Sequence, residues 1–129
     1  MIYLDTSVAL AHLLAEDRRP PEALWSHPLV SSQLITYELW ARIHARGLAE
    51  SHGELVQQLI GRVSLLALID DIVSRVRQPF PAPVRTLDAL HLASLRFLQR
   101  QGVSISLASY DERLLAAARG MNVVIFPLP

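Results

Sequence analysis

Ile2-Tyr3-Leu4-Asp5-Thr6-Ser7-Val8-Ala9-Leu10 stands at the start of the chain, and its reading decides the fold. Ile2 to Leu4 is a short β-prone run, Asp5-Thr6-Ser7 a polar break, and Val8 to Ala15 a helical pattern. A strand that turns directly into a helix opens an α/β unit, and Thr6 or Ser7 is available as the helix cap. Asp5 thereby stands at the carboxyl end of a strand, where open parallel sheets form their functional crevice.

The rest of the chain repeats this alternation. Glu22 to Ser26 reads as a short helix after the turn Asp17 to Pro21, and Leu29 to Ser31 as a second buried strand. Leu34 to about Arg46 and Glu50 to about Arg62 form a helical hairpin that breaks at Gly47. Ser64 to Ile69 is the next strand-like run, and Asp70-Asp71 caps a helix through about Arg77. The prolines of Gln78 to Pro83 lack amide donors and enforce an irregular loop, too short for a domain linker. Thr86 to Arg100 is a strong helix stopped by Gly102, followed by the strand Ile105 to Ala108, a helix from Asp111 to Arg119 and a final strand Val123 to Phe126. Strands alternating with helices imply an α/β fold, with a central parallel sheet of about five strands covered by helices on both faces. At 129 residues the chain fits a single domain over 1–129.

Composition narrows the chemistry. There is no cysteine, which removes disulfides, thiolate metal sites and cysteine nucleophiles, so any metal is held by oxygen or imidazole. Twelve acidic residues balance twelve basic ones, and every cation is arginine. Without lysine, the P-loop, Schiff-base and lysine-dependent phospho-acceptor chemistries are excluded, while arginine supplies planar bidentate recognition of phosphate. No global positive field recruits a polyanion, so nucleic-acid binding has to be local. No apolar stretch reaches the roughly 18 residues that span a bilayer, and the opening run carries Asp5 and lacks a basic leader. A soluble, cytoplasmic protein is the expectation.

Four acids stand in apolar surroundings, which costs free energy unless something compensates it. Asp5 follows the first strand and Asp111 follows the Ile105 to Ala108 strand. Glu38 lies inside a helix between Tyr37, Leu39 and Trp40, and Asp88 opens the helix Leu87-Asp88-Ala89-Leu90-His91. Asp5, Asp88 and Asp111, each taken singly, read better as helix caps than as catalysts. Glu38 does not, and the joint pattern favours a site. The other acids, among them Glu16, Asp17, Asp70 and Asp71, sit in polar stretches or at caps.

These segments together resemble the PIN domain, and within it the VapC-type toxins of bacterial toxin–antitoxin pairs. The resemblance spans nearly the whole chain and rests on Ile2-Tyr3-Leu4-Asp5-Thr6-Ser7, Thr36-Tyr37-Glu38-Leu39, Arg85-Thr86-Leu87-Asp88-Ala89-Leu90-His91-Leu92-Ala93 and Ser109-Tyr110-Asp111-Glu112-Arg113-Leu114. It implies a PIN-like, Rossmann-like three-layer sandwich, a Mg²⁺ or Mn²⁺ site, endoribonuclease activity, a homodimer, and inhibition by a cognate VapB-like antitoxin.

Oxygen ligands suit those ions, and four carboxylates can neutralise two of them, although one ion also satisfies the pattern. On this reading Asp5, Asp88 and Asp111 are metal ligands, and Glu38 holds metal or orients the attacking water. Thr6, Ser7 and Ser109 are candidates for hydrogen bonds that fix the carboxylates, and Arg85 for a contact to RNA phosphate. His91, one turn after Asp88, reads as a hydrogen-bonded histidine packed inside the fold, and Trp25 and Trp40 as packing anchors. Two rival functions remain: a catalytically silent module of the same fold that binds a partner through the helical hairpin, and a receiver-like phospho-acceptor, which the missing lysine disfavours.

Overall fold

A computed structural model describes residues 1–129. Ile2–Leu4 (β1) is the central strand of a five-stranded sheet, flanked by Leu29–Ser32 (β2) and Ser106–Ala108 (β4). Val63–Leu66 (β3) lies outside β2 and Val124–Ile125 (β5) outside β4, and every pairing is parallel. The connecting helices are Thr6–Leu13 (α1), Leu34–Ala45 (α2), Ala49–Gly61 (α3), Asp70–Arg75 (α4), Thr86–Arg100 (α5) and Glu112–Gly120 (α6), with a 3-10 turn at Glu22–Ser26. The expected α/β architecture of five parallel strands is what forms.

Alternation along β1 explains the layering, because successive side chains of a strand point to opposite faces. Ile2 and Leu4 join the core made with α1, α2 and α3, whereas Tyr3 joins the core made with α5 and α6. Both faces of β1 are buried, so three consecutive apolar residues suffice for a central strand and no polar alternation is needed. The result is a three-layer sandwich.

Four helix ends close in the same way. Gly47 and Gly102 adopt positive φ, and the amides of Leu48 and Val103 reach back to the carbonyls of Ile43 and Leu98. Ala15 and Asn122 do the same after α1 and α6, at φ +49° and +60°. For Ala15 that conformation carries a steric cost of about 1 kcal/mol, because its Cβ crowds the following carbonyl.

Several boundaries differ from expectation for local reasons. Asp5, not Thr6 or Ser7, is the N-cap of α1, and its carboxylate draws the helix start back to Thr6. Ala15 belongs to the left-handed turn and not to the helix. Strand β3 runs from Val63 and ends at Leu66, because its only partner, β2, offers four residues. The N-cap of α4 is Ile69, with Asp70 and Asp71 in the first turn, where they complement the helix dipole without capping it.

The chain builds outward from β1 through β2 to β3, then returns to the other side of β1 to lay down β4 and β5. That reversal opens a crevice between the carboxyl ends of β1 and β4, which carry Asp5 and Ser109. No helix is long and apolar enough to cross a membrane.

Candidate active site

Two serines hold Asp5 across the crevice. Asp5 is 5% exposed, and its Oδ2 accepts from Ser7 Oγ at 2.5 Å, from Ser109 Oγ at 2.8 Å and from the Ser7 amide at 3.3 Å. Each hydroxyl that donates to Asp5 also accepts an amide from the loop after β4: Tyr110 N–H to Ser7 Oγ at 3.0 Å, and Asp111 N–H to Ser109 Oγ at 2.9 Å. The ends of β1 and β4 are thereby fastened to one another. Asp5 Oδ1 receives no protein donor and remains available to a ligand.

Asp111 caps α6, its Oδ1 accepting the amides of Arg113 and Leu114 at 3.0 and 3.3 Å. Asp88 lies in the first turn of α5. Burial pushes the Asp88 carboxyl above the usual carboxylate range, and the charges of Asp111 and Asp5 push it further. The cap reading therefore holds for Asp5 and Asp111 in geometry. It does not account for a third carboxylate, Asp88, that lines the same cleft and caps no helix.

Glu38 projects from α2 and is held from below. His91 Nε2 lies 2.6 Å from Glu38 Oε1, and His91 Nδ1 lies 2.7 Å from the Tyr3 hydroxyl, which accepts the Ser32 amide at 3.1 Å. His91 and Tyr3 are fully buried, while the Glu38 side chain is 21% exposed. A polar chain thus runs from the middle of the sheet through the core to a carboxylate in contact with solvent. Burial works against a charged His91, but its bond to Glu38 and the charges of Glu38, Asp5 and Asp88 outweigh burial and leave its pKa raised. Burial also lifts the Tyr3 phenol far above its ordinary value, so it keeps its proton.

Asp5, Glu38, Asp88 and Asp111 line one cleft of about 580 Å³. Glu16 and Asp17, read from sequence as acids of a polar stretch, line it too, with Arg18, Arg42 and Tyr110. Six carboxylates thus face two guanidiniums. The side chains border the cleft without any three of the acidic or imidazole groups closing on a common point, as expected for like charges that also serve helix amides.

Of the residues expected to support the carboxylates, Ser7 and Ser109 bind Asp5. Thr6 does not: it lines the cleft, but its buried Oγ1 has no hydrogen-bond partner. Arg85 is an exposed N-cap of α5 and borders the grooves beside the cleft, not the cleft itself. The arginines that reach the cleft are Arg18, whose guanidinium lies 4.3 Å over the Tyr110 ring, and Arg42. Arg42 follows Glu38 by one helical turn, a spacing the sequence displays. Arg18 is brought in by the left-handed turn at Ala15, which no local signal announces. His91 is buried and hydrogen-bonded as expected, and Trp25 and Trp40 are half-buried against the α1–α3 core.

Comparison with known proteins bears on the same elements. The family model described as PIN domain matches residues 2–120, which takes in β1, the crevice and all four carboxylates. The chain belongs to the PIN domain family. Among curated relatives of this PIN domain, Ribonuclease VapC47 of Mycobacterium tuberculosis is 28% identical, over 96% of this chain and 94% of its own length. Ribonuclease VapC46 from the same species is 29% identical, over 96% and 95%. A human protein, GPI-anchor transamidase component PIGS, is 34% identical over 79% of this chain, but that match covers only 20% of its length and is confined to a segment.

Proposed function

We propose that this PIN domain is a divalent-cation-dependent endoribonuclease and the toxin of a toxin–antitoxin pair, hydrolysing RNA phosphodiester bonds at Asp5, Glu38, Asp88 and Asp111. The observation that carries the reading is the convergence of Asp5, Glu38, Asp88 and Asp111, from four separate segments of the chain, on one cleft. Such a site has negative charge that its own two arginines do not balance. Its donors are oxygen only, which fits Mg²⁺ or Mn²⁺. Similarity to two ribonucleases over almost the full length of each supports the choice of RNA.

Asp5, through its free Oδ1, together with Asp88 and Asp111, would hold the cation. When bound, it supplies charge stabilisation for the scissile phosphate and lowers the pKa of an attacking water. The remaining work belongs to the chain. Ser7 and Ser109 fix the Asp5 rotamer so that its free oxygen faces the cleft. His91 Nε2–H holds one oxygen of Glu38, leaving the other to orient a water and accept its proton. Arg42 and Arg18 bind phosphate oxygens at the cleft mouth. The toxin acts in the cytoplasm as a homodimer and is restrained by a VapB-like antitoxin encoded beside it.

In the test, purified protein cleaves RNA when Mg²⁺ or Mn²⁺ is added and stops when the ion is chelated. Asp5→Asn and Asp88→Asn, with unchanged circular dichroism, lose at least a hundredfold in kcat. Undiminished cleavage by either variant would overturn the four-carboxylate assignment. Growth arrest on induction, relieved by co-expressing the adjacent reading frame, tests the toxin role separately.

A further inference from the structure

On the α4–α5 face, outside the crevice, Arg75, Arg96 and Arg100 border one groove of about 310 Å³ together with Phe97 and Gln101. Asp71 is the only acid on its rim. The single ion pair of the molecule joins His91 to Glu38, so none of the three guanidiniums has a carboxylate within 4 Å. Arg75 is held in place: it donates to the carbonyls of Gln78 and Pro79 at 3.2 and 3.3 Å and lies 4.3 Å over the Phe80 ring. Arg96 donates to Gln99 Oε1 at 3.2 Å. Burial lowers the Arg75 pKa, and Arg96 and Arg100 lower it further, a sign of three like charges gathered without an anion between them.

Arg75 and Arg96 are half-buried and oriented by their hydrogen bonds, and Arg100 is exposed beside them. Guanidiniums that repel one another in this way are stabilised by an anion with several oxygens, and bidentate recognition suits phosphate. The choice of polyanion rests on the RNA-cleaving reading above. A cleft lined by six carboxylates offers RNA little attraction, and a chain of zero net charge needs a local anchor elsewhere. Arg96 and Arg100 follow Asp88 by eight and twelve residues on the same helix, about 12 and 18 Å along its axis. At ~3.4 Å per stacked nucleotide that is roughly four to five nucleotides. Phe97 adds an apolar wall on which a base can rest. We propose that the α4–α5 groove is a phosphate-binding exosite, in which Arg75, Arg96 and Arg100 grip the single-stranded RNA backbone some four to five nucleotides from the cleft.

Binding is read by fluorescence anisotropy on the full chain carrying Asp88→Asn, so that a labelled 20-nucleotide single-stranded RNA stays intact whether or not the native chain cleaves it. Arg75 is left in place because it also fastens the loop at Gln78 and Pro79. Adding Arg96→Gln and Arg100→Gln weakens the 20-mer about tenfold at 0.15 M salt, and the slope of log affinity on log salt shrinks by roughly 1.4, ~0.7 per phosphate contact. Arg100→Gln alone, at an exposed position, gives about half that change and guards against a folding artefact. The penalty is smaller for a trinucleotide, which cannot span from cleft to groove. An unchanged slope, an equal penalty for both lengths, or displacement of the RNA by polyglutamate at equal charge overturns the exosite. Failure of the native chain to cleave RNA, with the slope change intact, sinks the nuclease reading alone.

Discussion

His91 Nε2 and Glu38 Oε1 are 2.6 Å apart, although the two residues are separated by 53 positions and one of them is wholly buried. The imidazole makes the one hydrogen bond of the Glu38 side chain to the protein, and its other nitrogen bonds the Tyr3 hydroxyl at 2.7 Å. Replacing it with phenylalanine keeps the volume but strands two partners of different standing. Glu38, partly exposed, recovers water, whereas the buried Tyr3 hydroxyl keeps the Ser32 amide but loses the imidazole on its other side with no water to replace it. His91→Phe is therefore expected to cost about 1–3 kcal/mol, the penalty for an unsatisfied buried polar group, measured by urea denaturation. Loss of the support that orients Glu38 lowers kcat by about tenfold or more, as for other residues behind a metal-site carboxylate. Equal stability and equal kcat in the variant would remove the Tyr3–His91–Glu38 chain from the account.

Asp88 gives a prediction with a definite sign. Its carboxyl is raised by burial and then by Asp111 and Asp5, so the folded state binds that proton more tightly than the unfolded chain does. The stability tied to this group is present below the ordinary carboxylate range and lost as pH rises through the raised value. At neutral pH the ionised side chain thus works against folding. Asp88→Asn should raise the metal-free Tm at pH 7 by a few degrees, on the order expected for a small gain in a domain of this size. The advantage should vanish below about pH 4, the ordinary aspartate range. Mg²⁺ or Mn²⁺ should raise the Tm of the native chain and do so far less in the variant. A lower metal-free Tm for Asp88→Asn at pH 7 contradicts the assignment of mutual repulsion.

Much of this architecture is legible in the sequence because apolar runs and their breakers carry it. Ile2-Tyr3-Leu4 needs no partner to be read as a strand, and Gly47 and Gly102 stop their helices as glycine at a left-handed position should. The placement of Asp5 and Asp111 at strand ends follows from the same periodicity. What escapes is whatever depends on a rare backbone state or a long-range pairing. Ala15 and Asn122 adopt positive φ without being glycine, and the turn at Ala15 carries Glu16, Asp17 and Arg18 to the cleft. The stacking of Arg18 on Tyr110 and the bond from His91 to Glu38 join residues far apart in the chain, so no spacing rule reveals them. Nor does sequence separate a capping carboxylate from a ligand at Asp5 and Asp111, because the same side chain caps its helix with one oxygen and leaves the other free.

Gly120 ends α6, where alanine would ordinarily help a helix by about 1 kcal/mol. Here the Cβ of an alanine would overlap Pro81 Cβ and lie 3.0 Å from its Cγ, so the proline-rich loop would have to lift from α6. Overpacking of this kind costs about 1–3 kcal/mol and outweighs the propensity gain. Gly120→Ala should therefore lower stability by up to roughly 2 kcal/mol, and the loss should be smaller in a Pro81→Gly background, which lacks the Cβ that the new methyl meets. A stabilised Gly120→Ala protein would mean that the loop yields without cost.

Ser7 and Ser109 donate to the same oxygen of Asp5, and each also accepts an amide from the loop after β4. Removing one hydroxyl leaves the other to hold the carboxylate, while removing both leaves Asp5 only the longer bond from the Ser7 amide and orphans the amides of Tyr110 and Asp111. The two substitutions should therefore be non-additive, as expected for residues sharing one partner. Ser7→Ala or Ser109→Ala alone should reduce kcat/KM by roughly tenfold, and the double variant by more than the product of the two, within the 10–100-fold range per supporting residue. A separate readout is the Mg²⁺ concentration giving half-maximal cleavage, which should rise in the same order because a less firmly held carboxylate binds a cation less well. Strict additivity in both measurements would mean that the serines fasten β1 to β4 without positioning Asp5.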